Sequence, residues 1–234
     1  MDVLYLLGSG SVWENNEIRF SLRSAEKNIL DLGRVFIVGE LPDFLCNVEH
    51  LAFPDMFGAK WKNAYTKTLF ACKNPDLSDD FLLMNDDFFI LKPIEASSYP
   101  FYYSKVVPIK NSLREARFQN TTGLTASVLP KKIKTFLNFA VHRPVRINKK
   151  MYLDMPAPDL NMVGFSPRAF YCNYYGCVGV GYHEQNLSPS MTEQQFEKWA
   201  SEYTDISIFS QTSRNPVFQQ WIQKKFPKPS RFEK

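Results

Sequence analysis

Apolar positions run through the first ninety or so residues in two alternating rhythms. Val3-Leu4-Tyr5-Leu6-Leu7 is an unbroken apolar run of strand length, and it ends at Gly8-Ser9-Gly10-Ser11. Ile18, Leu22, Ala25 and Ile29 then step by four, three and four, which puts them on one face of a helix that Gly33 stops. Val35-Phe36-Ile37-Val38 is a second short strand closed by Gly39, and Glu49 to Phe53 reads as a third. Asn63 to Cys72 has a helical pattern. Phe81 to Leu91 is a long apolar strand broken only by Asn85-Asp86-Asp87. Strands alternating with helices predict a mostly parallel sheet with helices on both faces. In such sheets ligands bind beyond the carboxyl ends of the strands.

After Pro93 the rhythm loosens. Phe101 to Val107 resembles a strand, a helix is expected within Thr125 to Phe139, and Glu193 to Glu202 is another. Pro144, Pro156, Pro158, Pro167, Pro189 and Pro216 punctuate the rest, and there is no internal repeat or low-complexity linker. The second half is expected to be loops and helices wrapped on the same core, ending in a basic surface tail from Lys224 to Lys234. The reading is one domain over 1–234, with 1–95 as a ligand-binding half and 96–234 as its complement.

Composition narrows the class. With 234 residues, 44% hydrophobic and 22% charged, the chain can bury a large core and is no disordered, collagen-like or disulfide-scaffold sequence. A formal charge of +4 suits an anionic ligand without specifying one. No apolar run reaches the ~20 residues of a membrane span. Val3–Leu7 is too short for a signal core and follows Asp2 rather than a basic cluster. Cys46, Cys72, Cys172 and Cys177 lack CxxC spacing and sit among apolar neighbours, as free thiols in a reducing cytoplasm do.

The sharpest chemical feature is Asn85-Asp86-Asp87. Two adjacent carboxylates in an apolar strand cost several kcal/mol if buried without a partner. Such a pair at a strand end is a seat for Mg²⁺ or Mn²⁺ bridging a diphosphate; the plainer account is a polar turn. A regular strand would put Asn85 and Asp87 on one side and Asp86 on the other. Arg19 and Arg23, four apart on the first helix, either share an anion such as a phosphate or join Glu17 and Glu26 in a solvated ladder. His142 lies beside Arg143 and Arg146, whose charge keeps it neutral and able to act as a base; a structural histidine is the alternative. His50 and His183 are weaker candidates. Gly8, Ser9 and Gly10 lie where a phosphate cradle would sit, yet lack the fingerprints of a dinucleotide site or P-loop. Basic residues from Lys131 to Lys150, with Phe170, Tyr171, Tyr174 and Tyr175 later, suit either a polyanion surface or a solvated face beside an aromatic core.

Three stretches together carry a resemblance. Glu17-Ile18-Arg19-Phe20-Ser21-Leu22-Arg23-Ser24-Ala25-Glu26-Lys27-Asn28, then Arg34-Val35-Phe36-Ile37-Val38-Gly39, then Phe81-Leu82-Leu83-Met84-Asn85-Asp86-Asp87-Phe88-Phe89, resemble the second conserved region of the Stealth family. That family transfers sugar phosphates in capsule synthesis and lysosomal-enzyme tagging. His142-Arg143-Pro144 with Ile147-Asn148-Lys149 is similar to its third region. The resemblance implies a GT-A-like fold, a divalent metal (Mn²⁺ or Mg²⁺) and a nucleotide-sugar donor, with a UDP-sugar the leading candidate. The chain departs from the family at Leu6-Leu7-Gly8-Ser9-Gly10-Ser11-Val12-Trp13, which has no acid where an Asp is expected. That departure opens plain sugar transfer beside sugar-phosphate transfer. The compact length and the Phe226-Pro227 to Phe232-Glu233 ending resemble small phage-type relatives, which implies hydroxymethylated bases in DNA as acceptor, with a glycan as the alternative.

The expectation is a cytoplasmic, metal-dependent glycosyltransferase. Gly8, Ser9, Gly10, Arg19, Arg23 and Asn85 would bind the donor, and Arg168 would add positive charge at the leaving group. Asp86 and Asp87 would hold the metal, and His142 would serve the acceptor hydroxyl. The rivals are a Stealth-like hexose-1-phosphate transferase acting on a glycan, and a non-catalytic nucleic-acid-binding module.

Overall fold

The computed structural model describes residues 1–109, 120–182 and 190–234; His183 and Pro189 lie outside them. Strands β1 (Asp2–Leu7), β2 (Val35–Gly39), β3 (Glu49–Leu51) and β4 (Asp80–Asn85) pair in parallel. β5 (Phe88–Ile90), β6 (Phe101–Tyr103), β7 (Val106–Pro108) and β8 (Thr135–Leu137) follow, then β9 (Val145–Asn148), β10 (Gly179–Gly181) and β11 (Asp205–Ser207). The helices described are α1 (Asn16–Asn28), α2 (Lys60–Cys72), α3 (Thr121–Ser127), α4 (Lys149–Asp154), α5 (Pro167–Tyr174), α6 (Glu193–Glu202), α7 (Ser210–Ser213) and α8 (Pro216–Lys225).

The central sheet runs β3-β2-β1-β4-β9, and only β9 is antiparallel. β1 and β2 are covered on both faces, so their sequences are continuously apolar rather than alternating. Ile18, Leu22, Ala25 and Ile29 of the first helical stripe pack on one face with Val3, Tyr5 and Ile37. On the other face, Tyr65, Ala71 and Cys72 of α2 pack with Leu4, Phe36 and Leu83. A third cluster joins Phe20 and Phe89 to Phe196, Phe218 and Trp221 of the C-terminal helices.

Several boundaries move for physical reasons. Phe81 to Leu91 is two strands: β4 stays in the central sheet, and β5 leaves it to pair antiparallel with β11. Phe101 to Val107 divides likewise, because β6 pairs with β10 and β7 with β8. The helix expected within Thr125 to Phe139 lies earlier, at Thr121–Ser127, where Asn120 caps it by accepting from the Thr122 N–H. The C-terminal tail is docked rather than lying on the surface: Phe232 is buried, and Cys46 N–H donates to its carbonyl at 2.9 Å.

Candidate active site

The parallel register aligns Leu6 with Asn85 and Leu7 with Gly39, so the carboxyl ends of β1, β2 and β4 open on one edge. There the chain turns through Asp86-Asp87 before β5. This turn breaks the expected alternation, and Asn85, Asp86 and Asp87 all line one cleft of about 310 Å³. Gly8, Gly10 and Ser11 form part of its wall, with Glu17 of α1 and Lys60 and Lys67 of α2. Ser11 Oγ shapes the entry to α1 by accepting from Asn15 N–H at 2.7 Å and donating to Glu17 Oε2 at 2.7 Å. Lys67 is buried and committed, donating to the Leu7 carbonyl and pairing with Asp55 Oδ1, each at 2.6 Å. Lys60 stands exposed at the start of α2.

The carboxyl groups of Asp86, Asp87 and Glu17 line this cleft without gathering into one cluster. Burial pushes Asp86 up to about 6, with the Glu17 charge adding to the effect and Lys60 opposing it. Burial, then the neighbouring Asp86, raises Asp87 well above the usual carboxylate range. Asp87 Oδ1 is enclosed and has no hydrogen-bond partner among the described residues. Enclosed carboxylate oxygens normally have partners, because an unmatched one keeps its full desolvation cost.

His142 sits on the loop between β8 and β9. Its ring stacks parallel to Phe209, with centroids 5.8 Å apart, and meets Phe88 edge-on at 4.8 Å. Nε2 lies 3.5 Å from both Asp87 Oδ2 and Asn85 Nδ2, and Nδ1 is enclosed without a partner among the described residues. Burial lowers its pKa to about 4, helped by Arg168 and then Lys60. The sequence pointed to Arg143 and Arg146 as the cause. Arg143 instead turns into the core, where Nε donates to Asp205 Oδ1 at 2.7 Å and the guanidinium packs 3.7 Å over Tyr102. Histidine moves down and Asp87 up, so the two do not form an ion pair: each is held toward its neutral form.

The remaining sequence candidates separate. Gly8 and Gly10 are on the cleft wall, whereas Ser9 is exposed and off it. Arg19 and Arg23 do not line the cleft. Arg19 Nη1 donates to Glu233 Oε2 at 2.8 Å, and Arg23 makes a bidentate contact with the same carboxylate at 2.7 and 2.8 Å. Arg168 lies behind His142, donating to the Val141 and Arg143 carbonyls. The basic run from Lys131 to Lys150 forms no single patch: Arg143 is buried, Arg146 donates to the Ser97 carbonyl, and Lys149 to that of Leu77. Phe170 and Tyr171 are core residues. His50 Nε2 contacts the Gly39 carbonyl at 2.8 Å. Sequence reading missed Lys60 because it started α2 one turn late, at Asn63. It gave Glu17 to a surface ladder because nothing local shows that α1 begins under the acidic turn.

No family model and no curated protein matches the sequence. Similar solved structures include the galactosyltransferase LgtC in complex with donor and acceptor sugar analogues, at 10% identity and a TM-score of 0.47, covering 95% of this chain and 83% of that one. Mouse xyloside xylosyltransferase 1 in its apo form is 9% identical over 76% of this chain and 77% of its own, with a TM-score of 0.37. The apo glycosyltransferase GlyE of Streptococcus pneumoniae TIGR4 is 9% identical over 98% and 64%, with a TM-score of 0.40. At these scores the likenesses transfer no residue, ligand or activity to this chain. The molecule is an α/β protein with a mainly parallel central sheet.

Proposed function

We propose that the chain is a metal-dependent, GT-A-like glycosyltransferase that moves a sugar from a nucleotide sugar, a UDP-sugar first, to an acceptor hydroxyl. One observation carries this reading: two carboxyl groups held toward neutrality share the carboxyl end of β4, and one has an enclosed oxygen with no partner among the described residues. A cation beside such a pair would offset the cost of burying its charge. Among the described residues no group of three or more His, Cys, Asp and Glu side chains is gathered to hold a metal by itself. The donor set therefore suits an ion shared with phosphate oxygens, the usual mode for Mg²⁺ and accessible to Mn²⁺. Asp86 and Asp87 would hold it, and when bound it supplies charge neutralisation at the departing diphosphate.

The chain's own residues complete the reaction. Lys60 lines the cleft within reach of the Asp86 charge and would favour a diphosphate there. Gly8 and Gly10 let backbone approach the donor, and Asn85 contacts its sugar or ribose. The bond from the anomeric carbon to the phosphate oxygen breaks as the bond to the acceptor oxygen forms, and the hydroxyl proton passes to His142. Burial holds that imidazole neutral, which leaves a ring-nitrogen lone pair to take the proton as a weaker base than a free imidazole. Arg168 acts through position, holding the two carbonyls that flank His142. Arg19 and Arg23 have no part in this scheme, since Glu233 takes both.

The test is mass spectrometry of nucleotide products after incubation with pooled nucleotide sugars, Mn²⁺ and Mg²⁺, with hydroxymethylated DNA or a glycan as acceptor. A nucleoside diphosphate is the expected product. A monophosphate would replace this reading with hexose-1-phosphate transfer. Silence with every donor, alongside salt-sensitive DNA binding, would replace it with a nucleic-acid-binding module.

A further inference from the structure

Beyond the wall made by Leu6, Asn85 and His142 lies a second cavity of about 360 Å³, which also touches Lys60 and Ala64 of the first. Its remaining lining is dominated by Trp61, Leu83, Ile147, Tyr152 and Phe165. Trp61 and Phe165 pack with ring centroids 5.5 Å apart. Among the described residues the polar groups on this wall divide: Trp61 Nε1 is enclosed without a partner, whereas Thr68, Ser166 and Arg168 are engaged with the protein. Thr68 Oγ1 donates to the Ala64 carbonyl at 2.8 Å, and Ser166 Oγ accepts from Ala169 N–H at 3.3 Å. Arg168 Nη1 donates to the Val141 carbonyl at 2.6 Å.

That wall discriminates by chemistry. A sugar ring carries hydroxyls around its rim, and each must exchange water for a partner on entry; away from the shared wall the lining here is mainly apolar and offers the Trp61 indole N–H as an unpaired donor. A flat ring with apolar faces gives up little water and gains aromatic contact with the half-buried Trp61, which Phe165 backs from the core. We infer that this cavity takes the acceptor, and that the acceptor is an alcohol carried on a flat, mainly apolar ring with its hydroxyl at the shared His142 wall. The inference rests on the transferase reading, which requires an acceptor next to His142. It makes Trp61 a specificity-determining residue, although the residue lies outside the cleft that holds the acids.

The experiment uses the full chain saturated with whichever of UDP, GDP, ADP and CDP binds tightest in the presence of Mn²⁺. Methyl 4-(hydroxymethyl)benzoate and methyl β-galactoside are titrated in by calorimetry. The aryl alcohol is expected to bind at least about tenfold tighter than the galactoside without displacing the nucleotide. Trp61→Ser should weaken the aryl alcohol by about tenfold, and Trp61→Phe, which keeps an aromatic face, by no more than about threefold. Nucleotide affinity is measured on each variant as the check on folding. Tighter galactoside binding, or no alcohol binding by a chain that binds nucleotide, overturns the inference alone. Competition between aryl alcohol and nucleotide overturns it too, by placing the cavity in the donor site. A wild-type chain that binds none of the four nucleotides removes the transferase reading beneath it.

Discussion

Asp86 and Asp87 occupy positions where burial works against their charge, so their presence costs stability. Burial, with Glu17 adding to it, holds Asp86 at about 6 against an ordinary 3.8. Between about pH 4 and 6 the folded chain therefore binds more protons than the unfolded one. Stability falls as pH rises through that window and stays lower above it. Asp86→Asn removes the group, so its gain over wild type should be near zero at pH 4 and about 1–3 kcal/mol at pH 7. Paired thermal melts from pH 4 to 8 check this, and a gain independent of pH would contradict it. Asp87→Asn should lower turnover by about a thousandfold while leaving the melting temperature equal or higher; an active Asp87→Asn enzyme would remove the metal role. The acidic pair itself was legible in the sequence, because two charges inside an apolar run are locally conspicuous. Their common orientation was not, since it depends on β5 leaving the sheet for β11.

At the scale of elements, the C-terminal segment and the end of β2 show how the site is held in place. The Glu233 side chain is 2% exposed and ties Arg19 and Arg23 of α1 to the C-terminal segment. Despite burial, hydrogen bonds from Arg23, Ser230 and Arg19 bring it down to about 2 from 4.5. A lowered carboxyl pKa contributes stability above its unfolded value and loses it as pH falls toward its folded one. Glu233→Gln should therefore cost about 1–3 kcal/mol at pH 7, with the deficit closing toward pH 2, as measured by denaturant melts. A deficit that persists at pH 2 would assign the loss to packing instead. Gly39 ends β2 at φ +121°, and a Cβ there would stand 1.8 Å from the Leu7 carbonyl oxygen. Gly39→Ala should destabilise the fold by about 3 kcal/mol or more and disturb the cleft through Leu7 and Lys67, so nucleotide affinity should fall with stability. A Gly39→Ala chain of wild-type stability would show that β1 and β2 can separate without cost.

Across the whole molecule, the acids come from the sheet and from α1, and the cations from α2, so the cleft exists only when both helix layers are docked. Ligand linkage should report this. A nucleoside diphosphate with Mn²⁺ should raise the melting temperature by more than the sum of the shifts from each alone, because the ion joins the carboxylates to the phosphates. Additive shifts, or full nucleotide binding in excess chelator, would uncouple metal from donor.

The sequence by itself determined the alternation of strand and helix, the helix stripe of Ile18, Leu22, Ala25 and Ile29, and the acidic interruption after β4. Each depends on the chemistry of residues a few positions apart, where periodicity and burial cost act directly. Tertiary structure decided the partners. Glu233 lies 210 residues from Arg23, and nothing near either residue specifies the other. The same holds for Arg143 and Asp205, which left His142 to be kept neutral by burial, Arg168 and Lys60 rather than by its neighbours in sequence. Charged side chains have long reach and many possible partners. Which one each takes is settled only when the sheet, α1 and the C-terminal segment close on one another, because only then does each lose water and need a particular replacement.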